Sequence, residues 1–291
     1  MGIILNRDYM SYDTDSELVL SAQHGNYDSL EELILKHQSF IYNIALRMTS
    51  NTQDAEDATQ EILIKMLTKL STFQGHASFR TWLYRIVSNH VLNMKRSRRE
   101  NMFQSFDMHR DFVDSIPDSN IGNEYGSDTE KLVLIEETKA MCMMGMLLCL
   151  SRKQRLVFIL GSVYGVTSTV GGEIMDISPE LFRKNLSRAR MQLRNYMDNN
   201  CSLLNKNASC RCSRKAKAAI SAGCIDPKNL QFVPDYIQKA KDYVDENLHN
   251  EKKDMSIEAL FKGQPHLDSP DYTKLLHKIN KIESSWESFA L

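Results

Sequence analysis

Apolar residues recur at helical spacing through much of the first hundred residues. From Asp28 onwards, the apolar positions are Leu30, Leu33, Ile34, Ile41, Ile44, Ala45 and Met48. These positions lie on one face of a helix. Asp28 and Glu31 have the spacing of a capping box, which predicts that the helix begins at Asp28. A second helix is predicted over about residues 54–70 and a third after Ser78. The predicted buried positions of the second helix are Ala55, Ala58, Ile62, Met66 and Leu70.

The same periodicity resumes at Thr129 and continues to about Met197, with a break near Ser151. No series of short period-two runs separated by hairpin turns is present, so we predict an all-α fold. Residues 107–137 contain nine acids and two bases, and Pro and Gly interrupt them. This composition predicts a solvated linker over about residues 107–127.

Residues 165–194 have the pattern of a helix-turn-helix. Gly165–Met175 is the predicted first helix, Asp176 and Ile177 form the turn, and Ser178 with Pro179 begins the second helix. That second helix has no acid between Leu181 and Met197, and its bases are Arg183, Lys184, Arg188, Arg190 and Arg194. Leu181, Leu186, Ala189 and Leu193 are its predicted anchors. Such a helix can enter a DNA major groove, and the alternative is a basic surface helix.

Composition narrows the class of protein. The 291 residues are 42% hydrophobic and 25% charged, which is typical of a globular chain of two or three domains. The longest apolar run, residues 141–150, is about half the length of a membrane-spanning helix. The N-terminus lacks the pattern of a secretory signal. We therefore expect a cytoplasmic protein that does not insert into membranes.

Charge is balanced overall, at 36 bases and 37 acids, but segregated locally. Acids open the predicted second helix, whereas Arg80, Arg85 and four bases over residues 95–99 follow on and after the third. Phe79, Trp82 and Tyr84 lie among those bases, and single-stranded nucleic acid binds to such combinations of cations and aromatic rings. Two solvated helix faces are the alternative, and for Trp82 itself core packing is favoured.

Four of the six cysteines fall within 24 residues, at Cys201, Cys210, Cys212 and Cys224. In a chain without an export signal, clustered cysteines favour a metal site or a redox thiol over structural disulfides. Four thiolates could bind zinc or another soft ion such as Cu(I). Reduced thiols beside a basic helix are the alternative. The chain contains no P-loop, dinucleotide-binding, HExxH or nucleophile-elbow motif, so we expect no enzyme activity.

Two long segments resemble a known family. DAEDATQEILIKMLTKLSTFQGHASFRTWLYRIVSNHVLNMKRSRR, residues 54–99, is similar to region 2 of the extracytoplasmic-function sigma factors, a branch of the sigma-70 family. SRKQRLVFIL, residues 151–160, and RKNLSRARMQLR, residues 183–194, resemble region 4 of the same family. The resemblance covers roughly residues 10–200, and the Cys-containing extension follows it.

The resemblance implies partners and site residues. Core RNA polymerase and promoter DNA are the expected partners, an anti-sigma factor is a further candidate, and no cofactor is required. The residues implied in core-polymerase binding are Asp54, Asp57, Gln60 and Glu61. Those implied in recognising and melting the −10 element are Gln74, His76, Ser78, Arg80, Trp82, Tyr84, Arg85 and Asn89. Those implied in reading the −35 element are Glu180, Arg183, Lys184, Ser187 and Arg188.

One departure from the family pattern lies in the first helix of the helix-turn-helix. Family members usually have Glu-Ile-Ala where this chain has Val170, Gly171 and Gly172. Each glycine costs about 1 kcal/mol relative to alanine in a helix. The glycines either loosen this helix or permit very close packing against the recognition helix.

The resulting hypothesis is a transcription initiation factor with two helical lobes. Residues 10–104 form sigma region 2, 105–128 an acidic linker, 129–199 the region 4 helix-turn-helix, and 200–291 a Cys-containing, regulatory extension. The factor binds core polymerase, recognises the −35 and −10 elements and helps to melt DNA. A helix-turn-helix regulator that acts without polymerase and a metal- or thiol-sensing regulatory protein are the alternatives.

Overall fold

The computed structural model describes residues 15–233, 256–274 and 276. Within these ranges the fold is all-α, and the one β-type contact is an isolated bridge between Cys201 and Cys210. The helices are α1 (Ser16–Gln23), α2 (Tyr27–Thr49), α3 (Thr52–Lys69), α4 (Phe79–Asn93), α5 (Arg98–Met102), α6 (Phe106–Ser115), α7 (Asp128–Leu148), α8 (Arg152–Phe158), α9 (Ser168–Met175), α10 (Pro179–Asn200), α11 (Cys212–Ser221) and α12 (Ile257–Lys262).

The first lobe packs α1, α2, α3 and α4 around an apolar core. The predicted apolar positions of α3 are all buried: Ala55, Ala58, Ile62, Met66 and, just after its end, Leu70. Ser78 caps α4 by accepting a hydrogen bond from the Thr81 N–H, as its position predicts. The start of α2 differs from the prediction, because Asn26 and not Asp28 is the N-cap.

The second lobe contains α7, α8, α9 and α10. Helix α7 ends at Leu148 and α8 begins at Arg152, so the predicted break near Ser151 is confirmed. Helix α8 continues as a π-helical turn over Ile159–Val163. Ser178 caps α10 and Pro179 occupies its first position, both as predicted. The anchors differ in one place, since Phe182 is fully buried whereas Leu181 is 43% exposed.

The segment between the lobes is more structured than a solvated linker. Residues 106–115 form α6, which packs on α7, and Ser105 caps α6 by accepting from the Met108 N–H. His109 of α6 is buried. Residues 201–233 of the extension add α11 against α7. Residues 236–248, whose apolar positions have helical spacing in the sequence, lie outside the described residues.

A buried ion cluster joins the two lobes. Glu100, at the end of the first lobe, accepts from Arg152 at 2.6 Å and from Arg155 at 3.2 Å, both on α8. Arg155 is 1% exposed and also donates to the carbonyl oxygens of Met48, Leu147, Leu148 and Leu150. No helix in the described ranges has the length and apolarity needed to cross a membrane.

Candidate nucleic-acid interface

A groove of about 760 Å³ lies between α3 and α4. Asp54, Asp57 and Glu61 line its α3 side, and Asn89 lies on its α4 side. The i, i+3 and i+7 spacing of the three acids places them on one face of α3. Gln60 is exposed on the same helix but is not among the residues that line the groove.

The groove has walls of opposite charge. Lys95 and Arg96, which follow α4, line it together with the acids of α3. Burial and the neighbouring Asp57 carboxylate raise the pKa of Asp54. Burial and the nearby Lys65 ammonium lower the pKa of His90, whose Nδ1 lies 2.7 Å from Lys65 Nζ. A partner that presents paired charges fits this groove better than one of a single sign.

The loop before α4 exposes polar side chains beside the groove. Gln74 and His76 are exposed, and their side chains hydrogen-bond each other at 3.1 Å. Arg85 and Asn89 are exposed further along α4. These exposed side chains are hydrogen-bond donors and acceptors, and their role in nucleic-acid binding stays a prediction.

Two of the predicted −10 residues have structural contacts of their own. Arg80 Nε donates to the buried Asp15 carboxylate at 3.2 Å. Burial alone would raise the pKa of Asp15, but hydrogen bonds from His37 and Lys36 outweigh it and hold that pKa well below its usual range. Trp82 is half-buried, with its ring 5.4 Å from that of Phe73, so packing and a base contact are both open to it.

The prediction for Tyr84 is not supported by its position. Tyr84 is only 4% exposed, and its ring stacks on that of Phe40 at 4.5 Å. In this arrangement of the lobes Tyr84 belongs to the apolar core and is not accessible to a base. Tyr84 is therefore removed from the candidate interface.

Helix α10 presents a separate basic surface. Its predicted −35 residues are all exposed: Glu180, Arg183, Lys184, Ser187 and Arg188. Lys184 pairs with Glu180 at 2.9 Å, and Arg183 donates to the Ser168 hydroxyl of α9 at 3.1 Å. The opposite face is buried through Phe182, Ala189, Leu193 and Met197. The burial of this face leaves the bases directed to solvent.

The two glycines of α9 permit close packing against α10. A Cβ atom on Gly171 would lie 2.3 Å from the Phe182 ring. One on Gly172 would lie 2.7 Å from the Ile177 carbonyl oxygen in the turn. The sequence left open whether these glycines loosen α9 or permit close packing, and the structure supports close packing against α10.

The cysteines are brought together differently from the sequence prediction. The backbones of Cys201 and Cys210 form an isolated β-bridge. Cys142 of α7 lines one cavity together with both residues. A second cavity, of about 130 Å³, is lined by Cys142, Cys210, Cys212 and Cys224 together with His109. All six thiols of the chain are free. Cys142 and His109 lack the clustered spacing that identified the other four, so the sequence carried no signal for them.

The metal prediction for Cys201, Cys210, Cys212 and Cys224 is not supported. Within the described part of the chain, no group of three or more His, Cys, Asp or Glu side chains is arranged to hold a metal ion. Burial raises the pKa of Cys201 and Cys210, and raises that of Cys212 to about 12. Since the thiolate is both the metal ligand and the nucleophile, this environment disfavours both chemistries.

His109 connects the linker to the second lobe. Its Nδ1 lies 2.7 Å from the Tyr196 hydroxyl of α10, and its Nε2 lies 4.0 Å from the Cys142 sulfur. Burial lowers the pKa of His109 to about 4. The imidazole is therefore neutral at neutral pH.

Acid is expected to weaken the protein through His109. The unfolded chain binds a proton at this residue below about pH 6.5, whereas the folded one does so only near pH 4. Its contribution to the free energy of unfolding is thus complete above about pH 6.5 and is lost as the pH falls towards 4. Urea unfolding at about pH 7.5 and about pH 5 should show a smaller pH effect for His109→Gln than for the unsubstituted protein. The exposed His76→Gln is the control, and an unchanged pH effect in His109→Gln would contradict the assignment.

The extension is held to the linker and to α7 by polar contacts. Lys215 and Lys217 of α11 pair with Asp118 at 3.1 Å and with Glu124 at 2.9 Å. The Glu137 carboxylate accepts from the backbone N–H groups of residues 231–233, at 2.8 to 3.2 Å. Burial raises the pKa of Glu137 in spite of these donors. Part of the charge of the acidic linker is thus neutralised within the chain.

Comparison with known proteins identifies a family for the first lobe. A family model described as Sigma-70 region 2 matches residues 33–101. That range includes most of α2 and the whole of α3 and α4, and therefore the groove and the exposed loop before α4.

Individual relatives are named as RNA polymerase sigma factors. The chain is 36% identical to the RNA polymerase sigma-H factor of Pseudomonas aeruginosa over 92 residues, which are 31% of this chain and 48% of that protein. It is 28% identical to the RNA polymerase sigma factor YlaC of Bacillus subtilis, over 54% of this chain and 85% of that protein. For the ECF RNA polymerase sigma-E factor of Escherichia coli, the identity is 28% over 62% of this chain and 93% of that protein. The match to the first of these spans about half of its length.

Proposed function

We propose that this chain, which belongs to the extracytoplasmic-function branch of the sigma-70 family, binds core RNA polymerase and directs transcription from specific promoters. The proposal is supported by the placement of two different surfaces on two lobes. One is the acid-lined groove of α3 and α4, and the other is the basic face of α10. A factor that has to bind a protein and two DNA elements needs such separate surfaces.

The roles of the residues follow from these surfaces. Asp54, Asp57, Gln60 and Glu61 bind core polymerase. The residues that recognise and open the −10 element are Gln74, His76, Ser78, Arg80, Trp82, Arg85 and Asn89. The exposed part of the Trp82 ring face stacks on an unpaired base. The exposed residues of α10 read the −35 element. Residues 10–104 and 129–199 are accordingly the two functional lobes, and 105–128 is the linker.

The proposed function also implies the partners of the protein and its location in the cell. Core polymerase and promoter DNA are the primary partners, the cytoplasm is the site of action, and an anti-sigma factor that covers the groove is a further partner. The chain contributes recognition and melting, while phosphodiester chemistry belongs to the polymerase. Neither a metal nor another cofactor enters this proposal.

Run-off transcription tests it directly. Purified bacterial core polymerase, with and without this protein, is given a library of genomic promoter fragments. Discrete start sites that share spaced −35 and −10 elements are the expected result. Failure of the folded protein to join core or to direct any start site would overturn the proposal. Tight binding to duplex DNA without polymerase would instead favour an independent helix-turn-helix regulator.

Replacing Arg188 with alanine is expected to weaken use of the −35 element. Loss of one base or phosphate contact costs about 1.4 kcal/mol, which is about a tenfold loss of promoter affinity for the holoenzyme. Affinity for core polymerase should not change, because Arg188 lies on the other lobe. Arg194→Ala, an exposed base nearer the end of the same helix, is the matched control. Equal promoter affinities of the two variants would remove Arg188 from the interface.

A further inference from the structure

The two promoter-reading lobes touch each other in this structure. Helix α9, which supports the recognition helix, packs directly against α4. Arg85 of α4 donates through Nε to the Glu173 carbonyl oxygen of α9 at 2.7 Å. A candidate −10 residue is therefore engaged with the helix-turn-helix.

This arrangement is too compact to serve both promoter elements at once. Elements centred at −35 and −10 are about 25 base pairs apart, or about 85 Å along B-form DNA at about 3.4 Å per base pair. Helices α4 and α9 are in direct contact. The lobes must therefore separate before both elements can be bound.

Residues 256–274, which we name the C-terminal strap, are fastened to the first lobe. The Asn43 side chain of α2 donates to the Leu267 carbonyl oxygen at 2.7 Å and accepts from the Leu267 N–H at 3.0 Å. The Tyr272 N–H donates to Gln38 Oε1 at 3.1 Å, and its hydroxyl donates to the Glu56 carbonyl oxygen of α3 at 3.3 Å. Asn43 is fully buried.

The other end of the strap is fastened to the second lobe. Ile257, Leu260 and Phe261 of α12 are at most 2% exposed. The Phe261 ring packs edge-on against Phe158 of α8 at 5.1 Å. Glu258 pairs with Arg190 of the recognition helix at 3.0 Å. A short segment thus contacts both lobes with buried apolar groups, hydrogen bonds and an ion pair.

The strap leaves the candidate polymerase surface open. Its contacts on α3 are at Glu56 and Thr59. At about 100° per residue, both lie at least about 100° around the helix from Asp54, Asp57 and Glu61. The groove that those acids line is formed with α4 and not with the strap.

We infer that the C-terminal strap is an intramolecular inhibitor, which holds the two lobes closed and opposes promoter binding while leaving core polymerase binding intact. This inference rests on the proposed function, because it assigns a regulation to the same DNA-reading surfaces. The strap docks on α2, α3, α8 and α10. Its release removes one set of the contacts that hold the lobes together, beside the Glu100 ion cluster, and so lowers the cost of separating them.

Substitutions in the strap test the inference in the full chain. Glu258→Arg places like charges at the Arg190 contact, and Tyr272→Ala removes both the ring and the hydroxyl at the α2–α3 contact. Run-off transcription at limiting factor should rise about fivefold for the double variant, with unchanged affinity for core polymerase. Small-angle scattering of the free protein should show a larger radius of gyration. Lys262→Ala, an exposed strap residue, is the control and should match the unsubstituted protein.

The outcomes separate the two proposals. An unchanged radius of gyration together with unchanged transcription in the folded double variant would overturn the strap inference. A change in core-polymerase affinity that accounts for the whole change in transcription would overturn it as well. Glu258→Arg alone alters only a partly exposed ion pair, so it supplies a folded variant if Tyr272→Ala unfolds the chain. If the unsubstituted protein and the variants all fail to bind core, the proposed function fails, while the scattering result still decides whether the strap closes the lobes.

Discussion

Replacing Arg155 with methionine is expected to lower the free energy of unfolding by about 3–5 kcal/mol. Arg155 is 1% exposed, and its guanidinium satisfies Glu100 and four backbone carbonyl oxygens from both lobes. Methionine is of similar length but donates no hydrogen bond. The variant would leave those carbonyl groups buried without a donor and would deprive Glu100 of one of its two cations.

Chemical denaturation of the purified variant measures this effect. Lys153→Met on the same helix is the matched control, since Lys153 is exposed and surface substitutions usually change stability by no more than about 0.5 kcal/mol. A similar loss in both variants would show that the hydrophobic substitution itself, and not the buried ion cluster, is responsible. Loss of cooperativity in Arg155→Met alone would indicate that the cluster couples the two lobes.

Gly171→Ala is expected to destabilise the protein by about 2 kcal/mol, although alanine is the better helix former. The added methyl would lie 2.3 Å from the Phe182 ring, and Phe182 is fully buried, so the ring has little room to move. The gain in helix propensity is about 1 kcal/mol and is outweighed by the overlap. The sign of the change is therefore the informative quantity.

A double-mutant cycle identifies the cause. Phe182→Leu opens space at the ring, so Gly171→Ala should cost about 1 kcal/mol less in its presence than alone. Thermal or urea unfolding of the two single variants and the double variant gives the coupling energy. Additive costs would mean that some contact other than the Phe182 ring excludes a side chain at position 171.

Local signals predicted most of the helices of this protein. The periodicity of α3 identified its buried positions, Ser178 was correctly identified as a cap, and α4 begins directly after Ser78 as predicted. Such features depend on residues a few positions apart, whose geometry in a helix is nearly constant. The motifs in residues 54–99 likewise predicted a sigma-70 region 2, and a family model with that description matches residues 33–101.

Local reasoning was wrong where neighbouring residues compete for one role. Asn26 caps α2 in place of Asp28, and Phe182 anchors α10 in place of Leu181. Each pair offers similar chemistry, and the packing of the whole helix decides which member is used. The acidic composition of residues 107–127 also led to the wrong prediction of a solvated linker where α6 forms. Helix α6 is held by its buried His109, which contacts Cys142 of α7 and Tyr196 of α10.

The sequence by itself determined the helical class, the cap of α10, and the acid-lined and basic faces, but it left open whether the two glycines of α9 loosen that helix or let it approach α10. Only the tertiary structure decided that Tyr84 is buried, that Cys142 and His109 lie beside the clustered cysteines, and that residues 256–274 bridge the lobes. These contacts join residues far apart in the chain. Their partners are set by how the helices pack, whereas caps and amphipathic faces are set within a few residues of one helix.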